Sequence, residues 1–153
     1  MRNVQHARYS GRAVVAARAA GFWRRAVALV IDYGITTGLS IVLIRMLDGA
    51  QQNSSLALLV FIAINAAYWA WGFGDGQTLG CMLTGMRIVT DRTGLEPGYR
   101  KGLARWVGSL ISAAVFGFGY LWMLVDHKHQ TWHDKLAGTV VIIDDGEPGP
   151  FWQ

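Results

Sequence analysis

The chain has 153 residues, of which 52% are hydrophobic and 16% charged, with seven tryptophans, one cysteine and a formal net charge of +4. That is more apolar than an ordinary soluble domain of this size, so a single membrane-type domain is the expectation. The one cysteine, Cys81, excludes an internal disulfide, and the basic residues are spread along segments rather than gathered beside a nucleic-acid reading motif, so no nucleic-acid partner is expected.

Six arginines (Arg2, Arg8, Arg12, Arg18, Arg24 and Arg25) precede the first apolar run, and Arg87, Arg92, Arg100, Lys101 and Arg105 fall between the second and third. This is the positive-inside layout, with the N-terminus cytoplasmic and a bilayer with anionic lipids as the nearest partner. Residues 1–19 read as a basic N-terminal arm, residues 20–145 as the membrane domain and residues 146–153, rich in Pro and Gly, as a loose C-terminal tail.

The first apolar run, Ala26 to Ile44, is long enough to cross a hydrocarbon core of roughly 30 Å at about 1.5 Å per residue. It holds one charge, Asp32. Its Leu, Ile and Val residues contribute roughly −0.3 to −0.6 kcal/mol each, which together outweigh the cost of a central Asp, about +2.5 to +3.5 kcal/mol. A signal peptide is the competing reading, but the run is too long, contains Asp32 and ends in Arg45 without a clear small-residue cleavage site. The second run, Ser55 to Phe73, is uncharged and follows the polar stretch Asp48 to Ser54, so the two runs predict a helical hairpin.

The third run, Trp106 to Val125, is interrupted by Gly117 and Gly119. It either crosses fully or breaks into a re-entrant pair of half-helices, a form allowed only where protein or water covers the backbone. Two β-branched runs bear on the choice. Met86 to Thr90 reads as a strand leading into an Asp91-Arg92-Thr93-Gly94 turn, Thr139 to Ile143 reads as another, and pairing them requires both on one side. The expected fold is therefore an all-α integral membrane protein. It has two transmembrane helices, a third spanning or re-entrant glycine-broken segment, and a small cytoplasmic β-hairpin-like element.

Arg25 and Asp32 lie seven residues apart, two helical turns, so they share a face of the first helix about 10 Å apart and do not touch. An intramembrane charge must face a partner, a cavity or water, and Arg105, Asn65 and Thr36 are the candidate partners of Asp32. Asp32 is either a packing lock or a proton- or cation-handling group. Gly34 and Gly38, one turn apart, offer a close helix-packing spacing. His129 and His133 would share a helical face, but no second pair of soft ligands exists and Lys128 and Lys135 would repel a cation, so no metal site is assigned. Gly72 to Gly76 lacks the Lys-Ser/Thr ending of a phosphate loop, and no nucleophile elbow is present. Neither enzyme activity nor a cofactor is expected.

Three segments, FWRRAVALVID, GQTLGCMLTGMRIVTDRTG and HKHQTWHDKLAGTVVI, together resemble the RDD family, over about residues 20 to 143. The resemblance maps the name-giving Arg and two Asp onto Arg25, Asp32 and Asp134. It departs at Cys81, where family members usually carry Lys. What it implies is a multi-pass protein of the bacterial inner (plasma) membrane, with ion or proton transport proposed for some members.

If the C-terminal segment lies on the cytoplasmic side, His133 and Asp134 can meet Arg24, Arg25 or Arg105. Exchanging the charges of Arg25 and Asp134 should then restore function. The functional network is Arg25, Asp32, Arg105, His133 and Asp134, in one of two roles. The first is transport, as a homo-oligomer or with a membrane-protein partner; the second is a non-catalytic subunit or scaffold of a larger complex.

Overall fold

The computed structural model describes residues 18–48 and 54–144. The rest of the expected basic arm, the turn between the first two runs and the C-terminal tail lie outside the described residues. Helix α1 spans Phe22–Asp48 and helix α2 spans Ser54–Gly74. Within them, Phe22–Met46 and Ser55–Gly74 are each long and apolar enough to cross a membrane.

Their residue placement inverts that of a soluble protein. On α1 the buried positions recur every fourth residue, as Ala28, Asp32, Thr36 and Ser40, while Val30, Leu39, Ile41, Val42 and Met46 are exposed. Thr36 and Ser40 donate to the carbonyls of Asp32 and Thr36, which satisfies their hydroxyls within the helix. The buried row of α2 is Asn65, Trp69 and Phe73, and the two helices pack against each other. The Asn65 amide donates to Phe61 on its own helix.

A one-turn helix, α3 (Leu79–Leu83), starts on Thr78, whose hydroxyl accepts the amide of Cys81. Strand β1 (Met86–Thr90) follows. Helix α4 (Gly98–Ala114) begins eight residues before the apolar run, because its first two turns carry Arg100, Lys101 and Arg105 and escape a hydropathy criterion. Gly102 lets α4 lie directly on α2: a Cβ there would stand 2.6 Å from the Gly74 nitrogen and 2.7 Å from the Ala70 oxygen.

The glycine-marked break is real. Phe116 and Gly117 both take positive φ, 54° and 78°, and the chain turns by 112° into helix α5 (Phe118–Leu121) and a 3₁₀ turn, Trp122–Leu124. Helix α6 (Trp132–Ala137) packs back onto α4 and leads to strand β2 (Thr139–Ile143).

The strands pair antiparallel, with Met86 opposite Ile143 and Thr90 opposite Thr139. Residues 91–138 intervene, so the pair is closed by the whole α4–α6 unit and not by the tight turn of a hairpin. Ala19 bridges Ile142, and the Ala20 amide donates to the Val141 carbonyl at 3.0 Å, so the residues just before α1 join the same sheet. The core that results, from Ala20, Ala28, Trp69, Phe73, Cys81, Met86, Ile88 and Val141, sits where the helices meet the sheet.

Candidate functional site

Asp134 owes its position to a local motif. Thr131 caps α6: its hydroxyl accepts the Asp134 amide at 3.3 Å, and the Asp134 carboxylate accepts the Thr131 amide at 3.1 Å, a reciprocal capping box. This fixes the carboxylate at the helix start, where the helix dipole also favours a negative charge.

Two guanidiniums converge on it from elements far apart in sequence. Arg25, from the first turn of α1, donates to Asp134 Oδ2 at 2.7 Å. Arg105, from the middle of α4, forms an ion pair with Asp134 Oδ1, and its Nη1 also donates to the Thr139 hydroxyl at 2.9 Å. Arg25 further donates to the carbonyls of Ala20, His129 and Val141, and Arg105 lies over the Phe73 ring with its guanidinium carbon 4.9 Å from the centroid. The carboxylate is 0% exposed. Burial by itself would raise its pKa, but Arg105, Arg25, His133 and the Thr131 amide outweigh that and hold it well below the usual carboxylate range.

Beside it, His133 is also buried, its ring edge-on to Tyr120 with centroids 5.1 Å apart. Burial pushes its pKa down to about 3; Asp134 pulls the other way, and Arg105 and Arg25 push it down, so the imidazole is neutral. Its Nδ1 has no hydrogen-bond partner among the described residues.

Asp32 is held differently. It accepts from the Tyr68 hydroxyl at 2.5 Å, the Thr78 hydroxyl at 2.6 Å and the Gly80 amide at 2.6 Å. None of the candidate partners proves to hold its carboxylate: Thr36 reaches only its backbone carbonyl, and the Arg105 and Asn65 side chains hydrogen-bond elsewhere. The reason is the path of the Gly-Gln-Thr-Leu-Gly segment, which brings Gly80 against α1 so closely that a Cβ would collide with the Ala28 carbonyl and reach 2.8 Å from the Asp32 carboxylate.

Arg25, Asp32, Arg105 and His133 line one cavity of about 340 Å3, while Asp134 lies behind its wall. Gly34 and Gly38 are exposed on the far side of α1, with nothing within 4 Å of a Cβ at either, so they mediate no helix packing among the described residues. His129 precedes α6 at φ 51° and shares no helical face with His133. Among the described residues no group of three or more His, Cys, Asp or Glu could hold a metal ion.

Sequence reasoning missed Tyr68, Thr78, Gly80 and Thr131. Thr131 was accessible, since Thr-Trp-His-Asp matches the Ser/Thr-x-x-Asp/Glu pattern of a capped helix start, and Thr78 carries the ordinary mark of an N-cap before an apolar turn. Tyr68 carried no local signal at all.

The RDD family model matches residues 19–138. The proline-rich antigen of Mycobacterium leprae is 26% identical over 61% of this chain and 41% of its own length. A proline-rich antigen homolog of Mycobacterium tuberculosis is 30% identical over 50% of this chain and 34% of its own, and the uncharacterized protein YckC of Bacillus subtilis is 28% identical over 80% and 83%. The matched part of this chain thus spans less than half the length of the mycobacterial relatives. No solved structure matches.

Proposed function

The chain belongs to the RDD family, and from that premise we propose that it is a multi-pass protein of the bacterial inner membrane working in ion or proton transport. The two membrane-length helices and the bent pair among the described residues do not enclose a path across a bilayer by themselves, so it acts as an oligomer or with membrane partners. The exposed apolar faces of α1 and α2 meet lipid, and the basic segments and the β1–β2 sheet lie on the cytoplasmic side, near anionic headgroups.

The observation that carries this reading is the cavity: Arg25, Asp32, Arg105 and His133 turn toward a shared space instead of outward, which is how charged side chains at membrane depth are tolerated where solutes pass. Asp32 is the group that binds the proton or cation. The test is pH-dependent flux in proteoliposomes with Asp32→Asn: lost flux at unchanged abundance and oligomeric state supports transport, whereas unchanged flux sinks it.

A second reading, a non-catalytic subunit or scaffold, is favoured by a different observation. Both aspartates are already engaged, Asp32 by three donors and Asp134 by two guanidiniums and an amide. On that reading Asp32→Asn lowers assembly or abundance. The sidedness is tested separately with a Cys81→Ser chain carrying one new thiol after Asp145; protection from a membrane-impermeant reagent until the cells are opened places the sheet in the cytoplasm, and labelling of intact cells places it outside.

A further inference from the structure

We propose that the 340 Å3 cavity is a binding site for a single-chain amphiphile with a monoanionic head, such as a medium-chain carboxylate, its head on Arg105 and its chain along the apolar wall. The inference rests on the membrane-inserted reading above and specifies what the cavity holds.

The charge balance is the first argument. Two guanidiniums meet one carboxylate at Asp134, and the carboxylate of Asp32 is held apart from them by the neutral donors Tyr68, Thr78 and Gly80. The neighbouring His133 is neutral, so the Arg25–Asp134–Arg105 cluster carries one formal positive charge that draws an anionic head toward Arg105, while the Asp32 carboxylate on the same cavity brings the total to zero.

The donor count locates the head. Arg25 spends its guanidinium on Asp134 and three backbone carbonyls. Arg105 spends only Nη1, on Asp134 and Thr139; it lines the cavity with its Nη2 uncommitted among the described residues, while its Nε is buried out of reach of the cavity space. An uncommitted guanidinium N–H at the cavity wall offers an anion a charge-assisted bond, about twice as strong as a neutral one.

The remaining wall supplies the apolar part, from Phe22, Leu29, Trp69, Met86 and Leu121 among others. At about 30 Å3 per water-sized group, the volume admits roughly eleven such groups, which suits one chain of about ten carbons with its head and is too small for a two-chain lipid.

The experiment measures equilibrium binding of labelled decanoate, decanol and decyltrimethylammonium to the full chain in phosphatidylcholine nanodiscs, with empty nanodiscs subtracted. Decanoate should bind at least about ten-fold more tightly than either other probe, the factor expected of one charge-assisted contact. Arg105→Gln should collapse that preference. Because Arg105→Gln also disturbs Asp134, Ala26→Phe provides an independent arm: Ala26 lines the cavity without joining the ion cluster, and the larger side chain should abolish decanoate binding while leaving the unfolding midpoint unchanged.

Equal binding of decanoate and decanol, or decanoate binding that survives Ala26→Phe, overturns the proposal. Nanodiscs containing phosphatidylglycerol separate the sources of the head: competition by that lipid assigns the site to a lipid phosphate with one chain inserted, and no competition assigns it to a free carboxylate. Flux is scored apart from binding. Decanoate binding without proton or cation flux ends the transport reading and leaves this site standing, and flux without decanoate binding does the reverse.

Discussion

Asp32 and Asp134 are both buried, at 2% and 0% exposure, yet they are held by opposite chemistries. Asp32 accepts only neutral donors, two hydroxyls and an amide, and it ties α1 to α2 and to the capped start of α3. Asp134 faces two full positive charges and ties α1 and α4 to α6. The difference teaches which of them closes the fold. A carboxylate among neutral donors can be exchanged for its neutral amide with most of its hydrogen bonds kept, whereas one that opposes two buried guanidiniums cannot be removed without leaving them uncompensated.

The largest effect should follow from breaking the charged site. Asp134→Ala leaves Arg25 and Arg105 buried and facing each other, and it should cost about 3–5 kcal/mol in reversible unfolding from mixed micelles, or abolish accumulation of the chain. The paired exchange Arg25→Asp with Asp134→Arg should not restore stability, because Arg105 would still meet a like charge; full recovery in that double variant would show that Arg105 is not a partner.

Asp32→Asn should cost less, about 1–3 kcal/mol in the same assay, since the amide keeps one acceptor oxygen for the Gly80 amide and Tyr68 while its NH2 meets the Thr78 hydroxyl. A cost equal to that of Asp134→Ala would erase the contrast between the two sites.

The smallest effect is on pH. His133 has a folded pKa of about 3, below its unfolded value of about 6.5, so its contribution is complete above pH 6.5 and is lost as the pH falls. Asp134 is also depressed, so its contribution is present above about pH 4, the unfolded carboxylate value, and fades below it. From pH 6 to pH 5 the histidine acts alone of the two, and stability should fall by up to about 1.4 kcal/mol. His133→Gln should flatten the unfolding midpoint across that interval; an unchanged slope would mean that another group titrates there.

Much of this architecture is local and therefore legible in the chain. Asp32 does not disguise the first apolar run, because ten branched aliphatic residues surround it; Gly117 marks the break, because a positive φ is needed where the chain reverses. The two β-branched runs find each other across residues 91–138 as their composition suggests. Arg25, Arg105, His133 and Asp134 are all visible in the sequence as charged or titratable residues outside the apolar cores of the runs they flank, and the structure brings them together. The start of α4 was not legible, since its first turns are charged and its helicity comes from packing on α2 and α6.

Sequence by itself determined the two membrane-length helices, the broken third segment and the set of residues from which a buried charge cluster could be built, since hydropathy, glycine placement and charge are properties of single residues and near neighbours. Only the tertiary structure decided which aspartate meets arginine. Tyr68, Thr78 and Gly80 reach Asp32, and Arg25 and Arg105 reach Asp134, through side chains up to 109 residues apart. Such pairings depend on how helices rotate and slide against one another, and no local pattern encodes that.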